Sequence, residues 1–226
     1  MSKILKSARV EKQEVTQEDL RLINEQTIRT LNADEVFTFR LAACDNQVDR
    51  DHERFTDAAL DQLASLFVGK TVLMDHNWTT ASQTARVYAA GVESRGESKQ
   101  LILRCYMTRT KVFADTISAI EAGILRECSV GCCVSSVICS ICGADQAKTC
   151  CDHYAGSTYD EQTCVMELDN PVDAYEVSFV AVPAQPAAGV VKSKRYGGKD
   201  CQKTDDEIQR MAKAMQEQEK RRYGGI

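Results

Sequence analysis

Apolar residues recur at two spacings along the chain, and the spacing assigns most of the elements. After Thr16-Gln-Glu-Asp, a helix-start signature, Leu20, Ile23, Ile28 and Leu31 follow at helical intervals and predict a helix near 17–31. Thr56 opens a second helical stripe, Leu60, Leu63 and Phe67, that ends at Gly69, where a left-handed cap belongs. Phe113, Ile117, Ile120 and Ile124 predict a third helix within Lys111–Leu125. Between these, β-branched and aromatic runs predict strands: Val36–Cys44, a short buried one over Thr71–His76, Ala85–Val92 and Leu101–Thr108 joined by the polar turn SRGESKQ, a run after Glu127, and Tyr175–Val182 closing at Pro183. The stretch DNQVDRDHER reads as a loop. From about Lys192 the chain turns polar, with a capping box at Thr204–Glu207 and a narrow apolar stripe of Ile208, Met211, Ala212 and Met215.

This order predicts an α+β chain: an N-terminal helical segment over 1–35, a mainly β domain over 36–191, and a polar helical tail over 192–226. At 226 residues it has room for one well-buried core with appendages. With 43% hydrophobic and 27% charged residues and three prolines, the composition is that of a folded chain. A net charge of -5 argues against a dedicated nucleic-acid surface, the Lys192–Arg195 and Lys220–Arg222 clusters being ordinary solvated ends. No apolar run reaches the ~20 residues of a membrane span, and the N-terminus lacks the apolar core of a secretory signal, so a cytosolic protein is expected.

Eleven cysteines are many for a reducing compartment, and six of them fall between Cys132 and Cys151. Cys139-Ser-Ile-Cys142-Gly followed by Cys150-Cys151-Asp-His153 has the spacing of a tetrahedral metal knuckle, in which the glycine permits the tight turn. The expectation is structural Zn²⁺ held by Cys139, Cys142, His153 and either Cys150 or Cys151. The segment from Cys139 to His153 holds one Lys and no Arg, too little charge for a nucleic-acid knuckle.

Of three histidines, His153 belongs to that cluster and His52 to a charged loop, whereas His76 ends an apolar strand that can hold its ring. Ser129 lies on a predicted strand with Gly131 two residues on and hence on the same face, leaving room for a substrate backbone. Each alone has an ordinary structural explanation. Glu176, in an otherwise apolar strand, needs a partner and is preferred over Asp173 or Asp169 as the carboxylate that would orient a histidine.

Read together, Leu73-Met-Asp-His76-Asn-Trp, Glu127-Cys-Ser129-Val-Gly131, Asp173-Ala-Tyr-Glu176-Val-Ser-Phe-Val and Pro183-Ala-Gln-Pro186 resemble, in order and spacing, the prohead serine proteases of tailed phages over roughly residues 36–190. The resemblance implies a mainly antiparallel β-barrel related to the herpesvirus assemblins, with flanking helices and a Cys/His-rich insert over 138–165. It implies His76 and Ser129 as catalytic pair. The herpesvirus relatives use a second histidine after the serine; the only one here is His153, so a carboxylate has to substitute. Some members carry a similar CSICG insertion, which favours Cys151 with His153. The implied substrates and partners are phage scaffold and major capsid protein precursors, met in the host cytoplasm inside the immature capsid, and the reading leaves room for a homo-oligomer. The competing expectation is a non-enzymatic assembly module that keeps the barrel and the zinc insert. A further expectation is a separable tail that docks on scaffold through Ile208, Met211 and Met215 and is cut at Gly197-Gly198 or Gly224-Gly225.

Overall fold

The computed structural model describes residues 10–12 and 15–181. The Pro183–Pro186 motif, the tail helix, its basic clusters and both Gly-Gly steps lie outside the described residues.

Long alternating strands build one eight-stranded sheet. Its strands are β1 (Val10–Lys12), β2 (Val36–Asp45), β3 (Glu53–Phe55), β4 (Thr71–Met74), β5 (Ala85–Arg95), β6 (Ser98–Thr108), β7 (Cys128–Cys139) and β10 (Met166–Phe179). They lie in the order β1-β2-β6-β5-β4-β10-β3, with β7 on β10. A hairpin of β8 (Thr158–Tyr159) and β9 (Gln162–Thr163) sits apart. The predicted pair β5–β6 forms with a turn far shorter than SRGESKQ: Arg95 pairs Ser98, and Gly96 at φ +62° turns the chain.

The expected antiparallel barrel is not what the strands form. Both β3 and β4 run parallel to β10, joined to each other by helix α2 (Asp57–Phe67), and the sheet is mixed and not closed. Although β7 approaches β2 closely enough for Cys128 Sγ to contact the Ala42 carbonyl at 3.8 Å, no ladder joins the two.

Thr56 caps α2 by accepting the Ala59 N–H, and Leu60, Leu63 and Phe67 are wholly buried against Phe37, Phe39, Leu41, Leu101, Leu103 and Val177. Each such side chain contributes about 1.5–3 kcal/mol of transfer free energy. Gly69, at φ +84°, reverses the chain into β4. Helix α3 (Ala114–Glu121) adds Ile117 and Ile120 to the same core, but Ile124 lies past Gly123 and is exposed.

Helix α1 (Gln17–Asn24) ends seven residues before the predicted boundary. Asn24 stops it: its side chain bonds both the N–H and the carbonyl of Leu31, folding 25–31 into a loop that buries Leu31 and leaves Ile28 in solvent. The capping box forms as expected between Thr16 and Asp19. Asp19 is also wholly buried, accepting from Tyr88 Oη at 2.8 Å and pairing with Arg104, so α1 is pinned to the outer side of the sheet.

Candidate active site and metal centre

Strand β10 sorts its side chains by alternation. Val177 and Phe179 face the core, and Glu176 and Ser178 face the opposite side. On β7, Val130 and Cys132 pack against the core while Ser129 and Gly131 point the other way. The register sets Ser178 opposite Ser129 and Glu176 opposite Gly131, which puts all four on one face.

His76 does not end the strand as the sequence suggests. β4 stops at Met74, and Asp75 and His76 both take left-handed backbone, φ +52°. The turn is held by Asp75 N–H to the Phe179 carbonyl at 2.9 Å, by Asn77 N–H to Met74, and by His76 N–H to Ser178 Oγ at 3.1 Å. It folds the ring back over β10, where His76 Nδ1 lies 2.7 Å from Glu176 Oε1.

The hydrogens of this group are ordered by elimination. Ser178 Oγ accepts from His76 N–H, so its own proton goes to Glu176 Oε2, the other partner it has. An ionised carboxylate only accepts, so Nδ1 is the ring nitrogen that donates to Glu176. Glu176 is 2% exposed and Ser178 wholly buried, whereas Ser129 is half-buried and the His76 side chain is 38% exposed. Of the two facing serines, therefore, only Ser129 is open to a reactant. No hydrogen bond joins Ser129 Oγ to His76 among the described residues; Ser178 stands between them.

Gly131 has a different reason from the one expected. A Cβ there would lie 2.5 Å from Glu176 Oε1, so the space it leaves holds the carboxylate and not a substrate backbone. The other carboxylates considered face elsewhere: Asp169 accepts from Thr56 Oγ1 at 2.6 Å, and Asp173 pairs with Lys70 at 3.0 Å. His52 is also remote in role, its ring lying where a Cβ on Gly156 would clash at 2.6 Å. Sequence reasoning missed Ser178, although Glu-x-Ser on a strand already places the two side chains on one face. Trp78 and Tyr175 are exposed, with ring centroids 5.6 Å apart.

The second cluster grows from the far end of β7. Cys139, Cys142, Cys151 and His153 bring three sulfurs and a ring nitrogen within 4.8 Å of one another, and could hold a metal ion. Gly143 at φ +72° makes the knuckle turn, returning its N–H to the Cys139 carbonyl at 2.9 Å. His153 Nδ1 is buried without a hydrogen-bond partner, an atom that a bound cation would satisfy, so the residues fit a metal. Burial opposes ionisation of Cys139, yet the backbone N–H groups of Cys142 and Ile141 and the neighbouring thiols of Cys142 and Cys164 hold its pKa below the ordinary thiol value. Cys150 is exposed and is not one of the four. Cys164, not anticipated, places its sulfur 3.8 Å from that of Cys139; burial and that neighbour push its thiol up to about 12.

Among the described residues no helix is long and apolar enough to cross a membrane. Compared with protein-family models, with curated proteins and with solved structures, the chain matches none.

Proposed function

We propose that this chain is a serine endopeptidase of the tailed-phage prohead type, with Ser129 as nucleophile, His76 as general base and Glu176 as the residue that orients His76. The observation that carries the reading is the 2.7 Å contact of His76 Nδ1 with a buried carboxylate, on the sheet face that also presents Ser129. Nε2 takes the proton of Ser129 Oγ as the oxygen attacks the scissile carbonyl. The imidazolium so formed is stabilised by Glu176 and returns the proton to the leaving amine, and water repeats the sequence to release the acyl group. Contacts between nucleophile and base commonly tighten only on the substrate, so the Ser129 hydroxyl closes on the His76 ring as substrate binds.

Cys139, Cys142, Cys151 and His153 hold Zn²⁺ in this reading. Three thiolates and one imidazole suit its tetrahedral preference, and a site with four protein ligands leaves no position for chemistry, so the ion's role is structural. The substrates are scaffold and major capsid protein precursors, met within the immature capsid.

Co-expression with phage scaffold and coat protein precursors, wild type against Ser129→Ala, tests the reading. Shortened scaffold or coat protein is expected with the wild type only; identical intact partners in both would end the assignment.

A further inference from the structure

Ser178 is a wholly buried hydroxyl between Val177 and Phe179 on β10, and a buried hydroxyl is retained at a cost unless its hydrogen bonds are made. Both of its bonds go to the residues assigned above. It accepts the His76 backbone N–H at 3.1 Å and donates to Glu176 Oε2, the oxygen that His76 does not use. The ring, the carboxylate and the hydroxyl thereby close a loop: His76 N–H to Ser178, Ser178 O–H to Glu176, and His76 Nδ1–H to Glu176.

Two separate motions are stopped by this one side chain. The left-handed backbone at His76, which an L-residue does not favour, is fastened to β10. The Glu176 carboxylate, free to rotate about its last torsion, is fixed so that Oε1 faces Nδ1. Without the fastening, the ring would drift to the tautomer that carries its proton on Nε2, and Nε2 could then no longer accept one.

We infer that Ser178 is a positioning residue, which sets the tautomer of His76 by clamping its backbone and the Glu176 carboxylate at once. The inference rests on the serine-protease reading for its consequence, but the clamp itself can be read without any proteolysis.

The experiment uses the full chain in the Ser129→Ala background, labelled with ¹⁵N at histidine, and compares Ser178, Ser178→Ala and Ser178→Thr by the ring-nitrogen chemical shifts of His76. The parent and Ser178→Thr should show the Nδ1–H form with a low-field Nδ1–H resonance, and Ser178→Ala should lose that resonance and gain the Nε2–H form. With Ser129 restored, cleavage of co-expressed scaffold should fall about 10- to 100-fold in kcat for Ser178→Ala, with KM little changed, and recover in Ser178→Thr. Equal ring shifts in the parent and Ser178→Ala overturn the inference. If Ser178→Ala does not fold, Ser178→Cys takes its place as the weak donor: a tautomer different from that of Ser178→Thr supports the clamp, and the same tautomer in both overturns it. Absence of any cleavage by the wild type would sink the protease reading alone, and the ring shifts would still decide the role of Ser178.

Discussion

A Cβ at position 131 would collide with Glu176 Oε1, so the glycine is a requirement of the Glu176 carboxylate. A glycine two residues from the proposed nucleophile suggests room for substrate, but the room is filled by a carboxylate from the neighbouring strand. The pairing register decides this, and register is a non-local property that no window around Gly131 contains. His76 and Glu176 were legible for a local reason: a histidine and a carboxylate among apolar residues have to find partners. Ser178 was not singled out, because serine is common in strands and only its position two residues from Glu176 marks it. Gly131→Ala is expected to push Glu176 Oε1 off His76 Nδ1, since a contact at 2.5 Å has to be relieved by the side chain or the strand. Activity should drop by at least about 10-fold, with a stability loss of about 1–3 kcal/mol from overpacking. Denaturant melts beside cleavage assays check both, and unchanged values in the two would contradict the geometry.

Helices α2 and α3 were readable to within a few residues because their stripes are short and bounded by Thr56, Gly69 and Gly123. Helix α1 was over-extended, since Ile28 and Leu31 continue the helical spacing while Asn24 ends the helix with side-chain bonds the periodicity does not register. Strand β10 was under-extended: Asn170, at φ +50°, and Pro171 look like a break, and they are accommodated by a register shift between Pro171 and Asp173. The knuckle was legible because metal spacing is local. Its place in the fold gives it reach, for Cys139 pairs with Met166 at one end of the same β7–β10 ladder that sets Ser129 opposite Ser178 at the other, about 30 Å away at the usual rise per residue. Metal analysis should find about one ion per chain, and Cys139→Ser should release it and lower the melting temperature by about 5 °C or more. A metal-free wild type that melts at the same temperature would refute the site. Asp145 adds an acid limit to the same insert. Burial would raise its pKa, but Lys148 and the backbone N–H groups of Val137 and Ala147 outweigh burial and lower it to about 2. A depressed folded-state value means that this contribution is complete above the unfolded value near ~4 and is lost as pH falls from there towards about 2. Asp145→Asn should therefore melt lower than wild type at pH 7 and converge with it towards pH 2; a constant difference across that window would refute the assignment.

At the scale of the molecule, the class of structure was legible and the closure was not. Alternation says that a strand has a buried face; it does not say in which direction its neighbour runs. The parallel entry of β3 and β4 beside β10 is set by α2 crossing between them, and it leaves a mixed, open sheet in place of a barrel. On that sheet the turn after β4 sets two successive non-glycine residues, Asp75 and His76, in left-handed conformation. Such residues cost roughly 1–2 kcal/mol each, somewhat less for aspartate, and the surrounding fold has to hold them there. Asp75 is exposed, so Asp75→Gly removes the cost without emptying any core. The variant is expected to melt at the wild-type temperature or above it and, on the protease reading, to cleave several-fold more slowly because His76 is held less firmly; a melting temperature lower by several degrees would show that the turn is not strained. It follows that selection of this protein for heat resistance alone would favour glycine at position 75. The survivors of such a screen would be sturdier proteins and, on the protease reading, slower catalysts.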